Sequence, residues 1–256
     1  MNNMEQNKKY HTYTVVITPF RLAVFTESVN RLSGAKISYS VPTYSALLGI
    51  FNSIYSRPYF FWVIDECRVI NRIKFAPIPR TDPFKNFGKS ERYIYQYLTG
   101  CKYVVKAHFE IDKKVKEPLR YYSLSKINNA VKAEIRRGGE GGVFLGCREC
   151  QAFVHDGENE ELMGYYDDFD ELDLGEMFHS FSFPDSSSPY VRANSWHVVM
   201  RKGIIKFPRP RECEHRRNLY KLKRHSSTEK INNKLIGDLD EPQLFPVRNN
   251  EIPKRK

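Results

Sequence analysis

No stretch of about twenty apolar residues, the length a helix needs to cross a bilayer, occurs in this 256-residue chain. Met1–Lys9 is polar with no apolar core behind it, so no secretory leader is expected. Cysteine is scarce: five residues, widely spaced except for Cys147-Arg-Glu-Cys150. An odd, scattered set excludes a disulfide framework and points to the reducing cytoplasm. The Cys-x-x-Cys pair could supply half a zinc site with Cys213 and His215, but no second pair follows, and two ordinary thiols at a strand end fit the spacing better. Acid is also short, with 30 Asp+Glu against 41 Lys+Arg, a formal charge of +11 and a sequence pI near 9.3. The shortage is local. Residues 1–155 carry 24 basic and 12 acidic side chains, whereas Asp156–Glu176 holds ten acids and no Lys or Arg. A polyanionic partner follows from the excess, and nucleic acid is favoured because no amphipathic lipid anchor is present.

What is there reads as an α+β chain. Tyr13–Ile17 is a β-rich opening strand, Leu22–Phe25 a second apolar piece, and Glu27–Lys36 a polar loop. Leu47, Ile50, Phe51 and Ile54 share one face of a helix that Arg57-Pro58 ends. Tyr59–Val63 and Val69–Phe75 flank Asp65-Glu66 as an extended arm, and the proline-rich 77–83 with the basic 84–92 reads as a long connection. From Tyr103 to Ile111 the chain alternates, with Ala107 and Phe109 facing one way and Lys106, His108 and Glu110 the other. With the segments that follow, the order is strand, helix, strand, strand, helix, strand, a ferredoxin-like (RRM-like) pattern. The expected organisation is a ferredoxin-like RNA-binding domain over 1–150, a small antiparallel β domain over 151–212, and a mobile basic tail over 213–256. The second of these draws on Ala152–His155, Met177–Phe183, Trp196–Met200 and Ile204–Phe207, the last two joined by a tight turn at Gly203.

Leu124–Cys150 carries the densest signal. Leu124, Ile127, Val131 and Ile135 recur at helical steps, Arg136 and Arg137 sit in the last turn, and Gly138-Gly139-Glu140-Gly141-Gly142 leads into the apolar Val143–Leu145. A basic helix end feeding a bare glycine loop is a place for a phosphate chain; the competing reading is a connection that needs glycine for its dihedrals. Lys132, Arg136, Arg137, Gly138, Gly139, Gly141 and Gly142 are the candidate RNA-binding set. Tyr39 and Tyr44 are candidates for base stacking.

Five stretches in one order resemble a known family: KISYSVPTYSALLGIFNSIYSRP at 36–58, YVVKAHFE at 103–110, RRGG…VFLGCREC at 136–150, DLGEMFHSFSFPD at 173–185 and VMRKGIIKFPRPREC at 199–213. Together they look like the Cas5d family of type I-C CRISPR proteins, over about residues 13–213. The resemblance implies a cytoplasmic subunit of the crRNA-guided surveillance complex. It would cut precursor CRISPR RNA within each repeat and stay on the 5′ handle, alongside the other subunits and target DNA. It also implies cleavage without a metal or cofactor: the ribose 2′-OH attacks its own phosphate, leaving a 2′,3′-cyclic phosphate and a 5′-OH. Such chemistry needs a base, a cation beside the phosphorane and a proton for the leaving oxygen. The family's tyrosine carries over to Tyr55 and its lysine to Lys126, but the position of its histidine is Ile127, which can neither donate nor accept a proton. The glycine loop also departs, lacking arginines the family often has. Either His108, with Lys106 on the polar face of its strand, supplies the imidazole, or Tyr55 and Lys126 act alone at a lower rate. The alternative is a non-catalytic subunit that grips the same handle.

Overall fold

Alternating apolar residues build the sheets, and helical spacing builds the two helices that cover one of them. In a computed structural model of the chain, the described residues are 11–26, 36–86, 89–112, 123–160, 162–184 and 188–221, with 82–86 and 89–92 described by backbone alone. The elements run β1 (Thr12–Pro19), β2 (Leu22–Ala23), α1 (Tyr44–Ile54), β3 (Phe60–Val69), β4 (Phe75–Asn86), β5 (Lys89–Thr99), β6 (Tyr103–Ile111), α2 (Leu124–Arg137), β7 (Val143–Phe144), β8 (Gln151–Asp156), β9 (Leu172–Ser182), β10 (Tyr190–Met200), β11 (Ile204–Lys206) and β12 (His215–Lys221). The fold is α+β, with every strand pair antiparallel. Among the described residues no helix is long and apolar enough to cross a membrane.

The main sheet has the order β11-β3-β6-β1-β8-β7. Tyr13, Val15 and Ile17 of β1, and Tyr103, Val105, Ala107 and Phe109 of β6, are buried together with Trp62, Phe51, Ile127 and Val131. The Tyr13 hydroxyl donates to Asn128 Oδ1 of α2 at 2.6 Å, which fixes this as the helix-covered face. Burying a large side chain contributes about 1.5–3 kcal/mol, so this layer holds the sheet and both helices in place. The Gln151–Asp156 strand, expected beyond a boundary at 150, lies next to β1, and β11 pairs with β3. The tail expected from 213 begins as a strand, β12, paired to β10; 222–256 lies outside the described residues, as does 27–35 of the polar loop.

Two expectations need correction. Within the arm over 59–75, Phe60–Val69 is the single strand β3, with a bulge between Ile64 and Glu66, and Phe75 already begins β4. The connection over 77–92 is instead the hairpin β4–β5, in a sheet ordered β2-β5-β4. Prolines are tolerated there because β4 is an edge strand, where alternate N–H groups point away from the partner. Pro77 and Pro79 sit two apart, and Gln96, opposite Pro77, sends its own N–H the other way, to the Lys36 carbonyl at 2.8 Å. The turn at Gly203 forms as read: Arg201 and Ile204 exchange N–H···O bonds of 2.9 and 2.8 Å, with Lys202 and Gly203 both at positive φ.

The third sheet, β12-β10-β9, meets the rest through His179, which is fully buried. Its ring stacks on Tyr44 at 4.1 Å, so Tyr44 is core, and the Tyr39 hydroxyl accepts from Phe178 N–H. His179 Nε2 lies 3.0 Å from the Pro208 carbonyl and Nδ1 2.8 Å from Ser180 Oγ. A carbonyl only accepts, so Nε2 carries the hydrogen and Nδ1 accepts from the serine. Burial pulls the pKa of this neutral ring down to about 4. The folded value lies below the unfolded 6.5, so the unfolded chain takes the proton first as pH falls. This residue alone should therefore remove about 3 kcal/mol of stability between pH 6.5 and 4. His179→Gln, compared with wild type by urea unfolding at pH 7 and pH 5, should flatten that loss; an unchanged loss would assign it to other groups.

Candidate functional site

The site is built on the end of α1. Thr43 Oγ1 accepts from Ala46 N–H to start the helix, and Tyr55 ends it with an extended backbone, its N–H still bonded to the Phe51 carbonyl. An extended exit is what a chain approaching Pro58 requires. Tyr55 is 6% exposed, its ring stacked against Phe60 at 5.8 Å, with the Arg57 guanidinium over the ring at 4.2 Å. The Trp62 indole N–H donates to the Tyr55 carbonyl at 2.7 Å and fixes the backbone. The Tyr55 hydroxyl makes no hydrogen bond among the described residues, so the ring is held while its oxygen is left for another partner.

α2 carries Lys126 in its first turn and leads into the loop that meets α1. Ser123 caps its start, and Ile127, Val131, Glu134 and Ile135 are its buried residues. Ile127 is 2% exposed, in the core, so this position gives the site no proton-transfer group. Lys126, one residue earlier, is exposed, as are Arg136 and Arg137. Lys132 pairs with Glu158 at 3.4 Å and Arg137 with Glu134 at 3.1 Å.

Gly138 ends α2 in the left-handed conformation, φ 91°. From there the loop docks on α1. Gly138 and Gly139 N–H bond back to Ile135 and Glu134 carbonyls, while Glu140 and Gly141 N–H cap the Ile54 and Ser53 carbonyls at 3.0 and 2.9 Å. These are carbonyls that a helix end otherwise leaves unpaired. A Cβ at Gly139 would stand 3.1 Å from Ile54 Cα, so glycine permits the close approach. Four of the five loop amides are thus spent on protein carbonyls. What the loop presents outward is a side chain, Glu140, gripped by both terminal nitrogens of Arg57 at 2.6 and 3.0 Å. The Arg57 contact holds the Glu140 carboxyl below the usual carboxylate range. Neither residue stands out in the sequence: Arg57, with Pro58, marks a helix stop, and Glu140 lies within the glycine loop.

His108 lies elsewhere. Ala107 and Phe109 take the helix-facing positions of β6, so alternation turns His108 to the opposite face from α2. There Nδ1 is 2.8 Å from Asp65 Oδ2 and Nε2 3.5 Å from Glu110 Oε1, which also pairs with Arg209 at 2.6 Å. The Asp65 contact chiefly raises its pKa. This is a partly exposed charge network on the other face of the sheet, not an imidazole beside Tyr55 or Lys126. The cysteine pair is also apart from any site: Cys147 Sγ sits 3.5 Å from Lys36 Nζ, Cys150 is buried with its pKa pushed up to about 12, and the Cys213 thiol donates to the Arg209 carbonyl.

Comparison with known proteins matches this architecture to one family. The model of the CRISPR-associated protein family Cas_Cas5, in its Cas5d form, matches residues 17–208. Among solved structures, the chain is similar to a functionally uncharacterized protein, SMU1763c, from Streptococcus mutans, at 32% identity over 82% of this chain and 98% of that one, with a TM-score of 0.66. It is equally similar to a CRISPR-associated protein, at 30% identity over 82% and 97% of the two chains, again with a TM-score of 0.66. No curated protein matches it. On a family match that runs from the end of β1 through β11 and takes in both helices of the site, this chain belongs to the Cas5 family of CRISPR-associated proteins.

Proposed function

We propose that this chain is the RNA-processing subunit of a type I-C CRISPR surveillance complex, which cuts precursor CRISPR RNA within the repeat and stays on the 5′ handle. The order β3-β6-β1-β8, joined through α1 and α2, supports a ferredoxin-like reading of the core that carries it. The observation that carries the catalytic part is Tyr55, its ring held by contacts with Phe60 and Arg57 and its hydroxyl unclaimed among the described residues. In the reaction the ribose 2′-oxygen bonds to the adjacent phosphorus, the bond from phosphorus to O5′ breaks, and the 2′-OH proton ends on O5′. A phenol can hand its proton to the leaving oxygen and be restored by the proton the 2′-OH releases through solvent, so one proton passes from 2′-OH to O5′ overall. The exposed Lys126 ammonium can sit beside the phosphorane charge. No imidazole takes part, so the rate should fall short of a histidine-bearing relative by about 10²–10⁴-fold, the worth of one acid–base group.

One observation favours the second reading, a subunit that grips the handle without cutting: the family's histidine position is the core residue Ile127. Purified protein incubated with its own repeat RNA in EDTA separates the two. Cutting at one position, with a 2′,3′-cyclic end and an unchanged rate in His108→Ala, is the expected result. Tight binding with no product would leave only the grip.

A further inference from the structure

The Arg57–Glu140 pair goes further, on the reading that this site handles RNA. We infer that the Arg57 guanidinium is a phosphodiester-binding group of the site and that Glu140 occupies the seat of the RNA phosphate. A guanidinium fork takes a carboxylate or a phosphate through the same two parallel N–H···O bonds. Arg57 offers both terminal nitrogens to Glu140 in that way, at 2.6 and 3.0 Å. Both side chains are 38% exposed, so a solvent anion can reach the fork and the carboxylate can leave it.

Three features make the seat ready-made. Arg57 is held independently of Glu140, by its stack over Tyr55 at 4.2 Å and by a 2.7 Å bond from the same Nη1 to the Ser56 carbonyl. Its donors therefore stay aimed when the carboxylate swings out. Glu140 is in turn anchored by its backbone, through its N–H to Ile54 and that of Gly141 to Ser53, so the loop does not depend on the ion pair to stay docked. The seat also adjoins the Tyr55 ring, over which the Arg57 guanidinium lies, so a phosphate that replaces Glu140 arrives next to the residue placed in the chemistry. Glu140 is the only charged side chain in the five-residue loop, and it follows Arg136 and Arg137. Displacing it converts this end of the site from neutralised to strongly basic.

The size of the effect follows from competition. An exposed ion pair is worth little, so abolishing the internal competitor should tighten phosphate binding by only about two- to fivefold. Losing the fork itself removes one phosphate contact, which should weaken binding about tenfold and lessen the slope of log K against log salt by about 0.7, the single-strand value.

The test is equilibrium binding of the full chain to repeat RNA made with 2′-O-methyl ribose, which lacks the attacking hydroxyl, across a salt series. Glu140→Gln should bind two- to fivefold tighter, Arg57→Gln about tenfold weaker with the smaller slope, and the double variant should show no gain over Arg57→Gln alone. Arg57→Lys, which keeps the charge and loses the fork, should keep the wild-type slope and lose affinity; it serves if Arg57→Gln unfolds. A Glu140→Gln gain that persists without Arg57 would reduce the effect to net charge and overturn the inference. So would unchanged binding in Arg57→Gln and Arg57→Lys while Arg136→Gln weakens it, and that outcome would leave the RNA-handling function standing. No preference of the wild type for its repeat over unrelated RNA would instead sink the function itself.

Discussion

Gly146→Ala should cost about 4 kcal/mol or more and leave little folded protein at 37 °C. Gly146 has φ +94°, and a Cβ built there would lie 1.7 Å from the Val24 carbonyl oxygen and 2.8 Å from its carbon. The left-handed backbone alone costs a non-glycine residue about 1–2 kcal/mol. The collision is with backbone, so no side chain can rotate away, and the segment after β2 that carries Val24 cannot shift freely: the Val24 N–H bonds the Leu145 carbonyl at 3.1 Å, and Val24, Phe25 and Leu145 are core. Strain of this kind belongs to the short set of mechanisms behind losses above 4 kcal/mol. Gly49→Ala is the matched control. A Cβ at Gly49 meets nothing within 4 Å and lies inside α1, so the same exchange should stabilise by about 0.5–1 kcal/mol. Thermal unfolding of the two variants should move in opposite directions. A Gly146→Ala protein that melts with wild type would mean that the Val24–Gly146 approach does not exist in solution.

The contrast between these glycines marks how far the sequence could be read. Period and capping were legible: the alternation from Tyr103 to Ile111, the helical spacing of Leu47, Ile50, Phe51 and Ile54, and the stop at Gly138 all correspond to elements, because each depends on neighbours within a few residues. The hairpin β4–β5 was not legible, because three prolines ordinarily argue against a strand and only the edge position of β4 makes them harmless. The strand that carries His108 was read correctly and its surroundings were not. Which face of β6 the helices cover is settled by the Tyr13–Asn128 bond, 115 residues apart in sequence, and by the bulge that presents Asp65. The glycine loop was ambiguous for the same reason. Its composition suits a phosphate or a close approach equally, and the choice turns on the α1 carbonyls that take its amides. Arg57 and Glu140 are 83 residues apart, and nothing local marks either one as half of a pair.

Tyr55→Phe should slow repeat cleavage by about 10²–10⁴-fold, equivalent to roughly 3–5 kcal/mol of barrier, while repeat binding stays within about twofold of wild type. The substitution deletes one oxygen and keeps every contact that holds the ring: the stack on Phe60, the Arg57 guanidinium above it, and the Trp62 bond, which goes to the Tyr55 backbone carbonyl and not to its side chain. Because the hydroxyl makes no hydrogen bond among the described residues, its loss leaves no buried partner unsatisfied, so the unfolding midpoint should hardly move. Stability, affinity and rate therefore separate cleanly in one variant. Lys126→Ala should also slow cleavage, and groups that act on one transition state are not additive, so the double variant should be little slower than Tyr55→Phe alone. Installing the family's imidazole offers no shortcut. Ile127→His places a polar ring where 2% of the residue reaches solvent, and burying a polar group without a partner costs about 1–3 kcal/mol in mutational series. Its expected readout is a lower unfolding midpoint and no faster cut. A Tyr55→Phe protein that cleaves at the wild-type rate would reduce Tyr55 to the packing residue that ends α1, and the search for the group that moves the proton would then turn to Lys126.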